Sequence, residues 1–100
     1  MSYRVTLLIE AERDIIEIEE YLSQFYPSTV RNFFEKLRKQ VFNLEDMLYM
    51  YPEYENDQFF RRMVIDDYLL FYSVDDERQL VVIHRIFHSK RDISRQILDN

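Results

Sequence analysis

RRMVIDDYLLFYSVDDERQLVVIHRIFHSKRD, residues 61–92, is the stretch that decides the fold. It holds three apolar runs rich in β-branched and aromatic side chains, and the spacing predicts strands over 59–65, 68–74 and 79–87. The breaks between them, Asp66-Asp67 and Asp75-Asp76-Glu77-Arg78, are turns. The chain has no glycine, so a turn needing positive φ must use Asp or Asn, whose side chains tolerate it best. Strands joined by such short turns pair as an antiparallel meander. The same stretch is expected to bring Arg61, Arg62, Arg85, His88 and Arg91 to one end of the protein, a basic cluster in a chain of net charge −6.

Upstream, residues 3–9 alternate and read as a strand. From Glu10 to Phe25 the period becomes helical, with Ala11, Ile15, Ile18, Leu22 and Phe25 on one stripe that Ile16 and Tyr21 widen. Pro27 is expected to stop this helix and Ser28 to cap the next. The second helix carries Val30, Phe33, Phe34, Leu37, Val41, Leu44 and Leu48 on its apolar face, opposite Arg31, Glu35, Lys36, Arg38 and Lys39. Two amphipathic helices joined by a few residues make an antiparallel hairpin, and its apolar face needs a sheet to cover it. Residues 49–58 lose periodicity, contain Pro52 and read as a loop. A short C-terminal helix is expected over 91–98. The predicted class is α+β, a helical hairpin on one face of a small antiparallel sheet, in the order β-α-α-β-β-β with the tail helix.

One hundred residues make a single domain, 1–100, because two would each bury too little surface. An apolar fraction of 47% suffices for a core and argues against disorder. Cysteine is absent, which excludes disulfides and thiolate metal sites. The N-terminal apolar run is too short for a signal peptide, and no run approaches the ~20 apolar residues that span a bilayer. The expectation is a cytoplasmic protein with no membrane partner. Charge is polarised: Glu45, Asp46, Glu53, Glu55 and Asp57 form a block with no base, whereas Arg78, Arg85, Lys90, Arg91 and Arg95 outweigh Asp92. A field of this kind steers partners whatever the net charge, although a solvated helix face is the better account of the acids of 10–20 and as good an account of the basic end.

Phosphate-binding glycine loops are ruled out, and His84 and His88 in a strand are not a helical zinc pair. No metal or cofactor is expected. Met47 and Met50 read as gap fillers in a core or interface. His84, inside VVIHRIF, reads as a structural histidine with a hydrogen-bond partner. His88, just past a strand end, has a functional reading as good as its structural one.

Two segments carry a resemblance. YRVTLLIEAERDIIEIEEYL, residues 3–22, resembles the strand and first helix of RelE/ParE-type toxins, where a strand runs into an A-E-x-D-L/I helix start. Residues 61–93 resemble the same family's C-terminal signature: an arginine strand, then Tyr68 and Tyr72 as Y-x-x-x-Y, then an acidic turn. An apolar strand follows, ending R-x-x-H-x-x-R-D at Arg85, His88, Arg91 and Asp92. The resemblance covers nearly the whole chain, and the H-x-x-R-D ending looks more like ParE.

What it implies is the toxin of a type II toxin–antitoxin pair, bacterial and cytoplasmic, held by a small cognate antitoxin in a hetero-oligomer. Two targets follow. A ParE-like member inhibits DNA gyrase through protein contacts; a RelE-like member is a metal-independent endoribonuclease that cuts mRNA on the ribosome. Cleavage by 2′-hydroxyl attack needs a base, an acid and positive charge on the phosphate. His88 and Arg85 are the catalytic candidates on that reading, with Arg61, Arg62, Tyr72, Lys90 and Arg91 binding. Tyr68 and Tyr72 could stack on a base or simply pack in the sheet. A third reading is a non-toxic binding relative that uses the aromatic loop of Tyr49, Tyr51, Tyr54, Phe59 and Phe60. The ParE-like mode stands ahead of cleavage because the chain is acidic, a handicap on an RNA surface.

Overall fold

The computed structural model describes residues 3–90. Strand β1 (Arg4–Leu7) leads into helix α1 (Ile9–Leu22), and helix α2 (Pro27–Asn43) returns the chain. Four more strands follow: β2 (Glu53–Tyr54), β3 (Asp57–Ile65), β4 (Tyr68–Asp75) and β5 (Leu80–His88). The two helices pack on one five-stranded sheet, in the spatial order β1-β5-β4-β3-β2. No helix among the described residues is long and apolar enough to cross a membrane.

The α+β layout is the expected one, with two differences in the sheet. It is mixed: β1 runs parallel to β5, Arg4 against Leu80 and Leu7 against Ile83. The helical hairpin and strands β2, β3 and β4 all lie between these two partners in the chain, so no local turn announces the pairing. In addition, the segment read as loop contains β2, which pairs antiparallel with β3 at Glu53 and Arg61. The expected C-terminal helix lies outside the described residues.

Helix α1 opens with Glu10 and Glu12 in its first turn, where acids favour the exposed N–H groups. Its buried face is Ala11, Asp14, Ile18 and Leu22, whereas Ile16, Tyr21 and Phe25 are exposed. The apolar stripe is therefore narrower than the spacing predicts, and it contains a carboxylate. Pro27 opens α2 rather than stopping α1, with Tyr26 at the cap position and no side-chain cap bond. Proline is tolerated at the first helical residue because its missing N–H would have no partner there. The second helix buries Phe33 and Leu37, and Leu44 and Leu48 continue the core after it ends.

Positive φ falls at Asp66 (53°) and Gln79 (55°). Asp66 is the kind of residue the glycine-free turns require; Gln79 is not, and it carries the strain of the β4–β5 turn without a short polar side chain to ease it. Residues on β4 bury both faces. Tyr68, Leu70 and Tyr72 join the core under the helices, and Leu69 and Phe71 join Tyr54 and Phe87 in a smaller cluster on the other face.

Candidate functional site

Strand β1 stops supporting β5 at Leu7, and the last link is the Leu8 N–H donating to the Ile83 carbonyl at 3.0 Å. Beyond that point the edge of β5 is covered by α1. Asp14, within that helix, accepts the Ile86 backbone N–H at 3.0 Å and two bonds from Arg85, Nε at 2.7 Å and Nη2 at 2.9 Å. One carboxylate thus replaces the missing strand and neutralises the cation beside it. Asp14 is only 5% exposed, so neither charge is solvated enough to do without the other. The Asp14 bonds push the Arg85 pKa further up, against the lowering effect of burial. The guanidinium also lies 5.3 Å from the Phe87 ring centroid.

A β-bulge sits one step earlier. Phe71 pairs with Arg85 and Tyr72 with Ile83, leaving His84 without a partner residue opposite. The bulge reverses the alternation of β5. Ile83 and Ile86 both enter the core under the helices, so His84 points to the opposite face from His88. His84 is half-buried, its Nε2 lies 2.8 Å from the Ser73 hydroxyl, and its ring is 4.9 Å from that of Phe60. Burial lowers its pKa, with Glu10 opposing.

His88 pairs with Tyr68, edge to face at 5.5 Å, and its Nδ1 accepts the Lys90 backbone N–H at 3.2 Å. Both residues line an open cleft of about 440 Å³ together with Asp14, Glu17, Tyr21 and Tyr68. His88 thus faces the cleft beside α1, whereas Arg85, paired with Phe71 and lying over Phe87, starts from the other face of β5 and reaches α1 around the strand edge, where it is tied to Asp14.

The remaining candidates do not converge on this cleft. Arg61 lies level with Tyr72, and His88 lies level with Tyr68, which pairs with Ile65. Four residues along β3 separate those levels, about 13 Å at ~3.3 Å per residue. Arg61 donates to the Tyr51 carbonyl at 2.8 Å and stacks over the Tyr49 ring at 4.9 Å. Arg62 pairs with Phe71 and alternates to the other face of the sheet. Tyr72 has no exposed surface; its hydroxyl donates to the Leu48 carbonyl at 2.8 Å, and burial pushes its pKa up to about 12. Among the described residues the expected gathering of basic residues at one end is therefore replaced by separate placements, because Arg61 lies four residues along the sheet from the His88 level and Arg62 alternates to the other face. Arg91 lies outside the described residues. Among the described residues no group of three His, Cys, Asp or Glu side chains could hold a metal ion.

A second hollow, about 220 Å³, opens between the helices over Leu7, Ile15, Phe34, Leu37, Val41 and Ile83. Sequence reading missed Asp14 as a site residue. Its signal was an acid on the same helical face as Ala11, Ile18 and Leu22.

The family model for the ParE toxin of the type II toxin–antitoxin system parDE matches residues 5–93. The chain belongs to the ParE toxin family. The match runs from β1 through the end of β5, so Asp14, the bulge and His88 all lie inside it. No curated protein matches the sequence.

Solved structures share this toxin's fold. The RelBE2 toxin–antitoxin complex of Mycobacterium tuberculosis is 21% identical with a TM-score of 0.63, covering 88% of this chain and 99% of that one. The chromosomal ParDE toxin–antitoxin system of P. aeruginosa is 14% identical with a TM-score of 0.71, over 87% and 96%. The isolated RelE toxin of E. coli is 16% identical with a TM-score of 0.62, over 98% and 97%. RelE and ParE proteins thus share one scaffold with this chain, and fold does not separate their activities.

Proposed function

We propose that this toxin arrests growth by gripping a protein target, DNA gyrase, and that a cognate antitoxin neutralises it in the cytoplasm. The observation that carries the first half is the Arg85–Asp14 pair. A guanidinium already holding a carboxylate through two bonds of 2.7 and 2.9 Å has little left to offer a scissile phosphate. Arg61, engaged by the Tyr51 carbonyl about 13 Å away along the sheet from the His88 level, is poorly set to replace it. Net charge of −6 further disfavours an RNA surface. The ParE family assignment and the structural likeness to toxin–antitoxin assemblies support an antitoxin partner.

The second reading is mRNA cleavage on the ribosome, favoured by one observation: His88 and Lys90 line the same open cleft, which suits a proton donor beside a phosphate-binding cation. Expression of the chain alone separates the two. Gyrase poisoning predicts growth arrest, DNA-damage signalling and loss of supercoiling by purified gyrase, all retained by His88→Ala. New mRNA 3′ ends that vanish with His88→Ala would instead establish the ribonuclease. Normal growth at high soluble expression would exclude both and favour a binding relative without toxicity.

A further inference from the structure

At the end of the sheet away from His88, the first residues of β1, β3 and β5 meet the last of β4, because β1 and β5 are parallel and β3, β4 and β5 are antiparallel. The chain leaving α2 joins them there, with the Tyr3 N–H donating to the Glu45 carbonyl at 3.0 Å. Asp76 ties these pieces together. It accepts the Tyr3 hydroxyl at 2.7 Å and the Tyr49 hydroxyl at 2.7 and 2.9 Å.

On either side of this knot lies a hollow. One, about 470 Å³, is lined by Tyr3, Asp46, Met47, Tyr49 and Met50. The other, about 440 Å³, has Phe59, Val82 and His84 for a floor and Asp75, Asp76 and Glu77 for a rim. Met47 (52% exposed), Met50 (47%) and Phe59 (63%) present apolar surface to solvent, Phe59 with one side of its ring against Phe60 and His84. Among the described residues the cations here include Arg4, Arg61, already on the Tyr51 carbonyl and Tyr49 ring, and Arg78, which is 3.8 Å from Asp75. Unbranched, polarisable methionines adapt to a partner's shape, and Met and Tyr are enriched where proteins meet. An apolar floor with an acidic rim is complementary to a segment whose apolar anchors are flanked by Lys or Arg.

We infer that this surface seats a basic, apolar-anchored segment of the cognate antitoxin, which rests on the reading of the chain as one half of a toxin–antitoxin pair. The charge order is specific: the toxin supplies the acids and the antitoxin segment the bases.

The test uses the full chain and the purified protein encoded by the reading frame adjoining its gene. Binding is titrated for the wild type, for Met47→Ser with Met50→Ser, and for Asp46→Asn with Glu77→Gln, at two salt concentrations, and growth arrest is scored in parallel. The expected result is at least tenfold weaker antitoxin binding for each pair, a shallower salt dependence for the charge pair, and growth arrest that the antitoxin no longer relieves. Phe25→Ser, at the exposed tip of the hairpin, should bind as the wild type does. Wild-type affinity in both pairs overturns the inference and leaves the toxin reading intact. Loss of growth arrest with antitoxin binding untouched also overturns it, and assigns the surface to the target. A wild-type chain that binds no antitoxin overturns the inference and the pairing together.

Discussion

Asp14 and Arg85, 71 residues apart, form a bidentate ion pair whose carboxylate also closes the backbone of β5 at Ile86. The pair joins the first helix to the last strand at the place where β1 runs out. It explains how a four-residue edge strand can leave half of β5 unpaired without leaving an orphan N–H in the core.

Asp14→Ala should therefore cost about 3–5 kcal/mol, since it strands a nearly buried cation and an amide at once. Arg85→Met alone should also destabilise, leaving the carboxylate without its partner. The double variant should lose clearly less than the sum of the two. Urea midpoints of the four proteins give the coupling; additive losses would mean that the pair does not act as a unit.

The turn strain at Gln79 offers the opposite change. Gln79→Gly removes a side chain from a left-handed position at φ 55° and should raise stability by roughly 0.5–1 kcal/mol, a few degrees in Tm. Thermal unfolding checks it, and Asp66, which has short-side-chain relief of its own, should gain less from the same replacement.

His84 makes stability pH-dependent. Its folded pKa lies below the ordinary 6.5 because burial penalises the charged ring. The unfolded chain therefore binds the proton first, stability is full above 6.5, and it is lost as pH falls from there through the folded pKa. His84→Phe, which keeps a ring against Phe60, should flatten the fall in urea midpoint between pH 7.5 and 5.5. An unchanged slope in that variant would assign the dependence to other groups.

Tyr72→Phe should cost about 1–2 kcal/mol by leaving the Leu48 carbonyl without its donor in the core. Because the Tyr72 hydroxyl titrates only near about 12, the wild type should show a late phase in tyrosinate absorbance that this variant lacks. The raised pKa also means that its contribution is complete below 10 and disappears as pH rises toward the folded value.

Much of this molecule is legible along the chain. The apolar runs of 61–65 and 68–74, rich in β-branched and aromatic residues, give the strands, the helical spacing of Val30, Phe33, Phe34, Leu37 and Val41 gives the second helix face, and the acidic pairs give the turns. These are local matters, set by backbone geometry within a few residues. Pro27 went astray for a local reason as well: a proline between two helices is equally compatible with ending one and starting the other.

Sequence alone determined the element order, the helix-on-sheet layering and the family signature, because periodicity and turn chemistry act over short spans. Tertiary structure decided where the charged residues go. The bulge opposite Tyr72 turns His84 and His88 to opposite faces, β1 chooses a parallel neighbour across a long crossover, and Asp14 finds Arg85 from the far end of the chain. Each depends on which groups lack a partner once the chain has folded, and that is a property of the packed sheet and helices together.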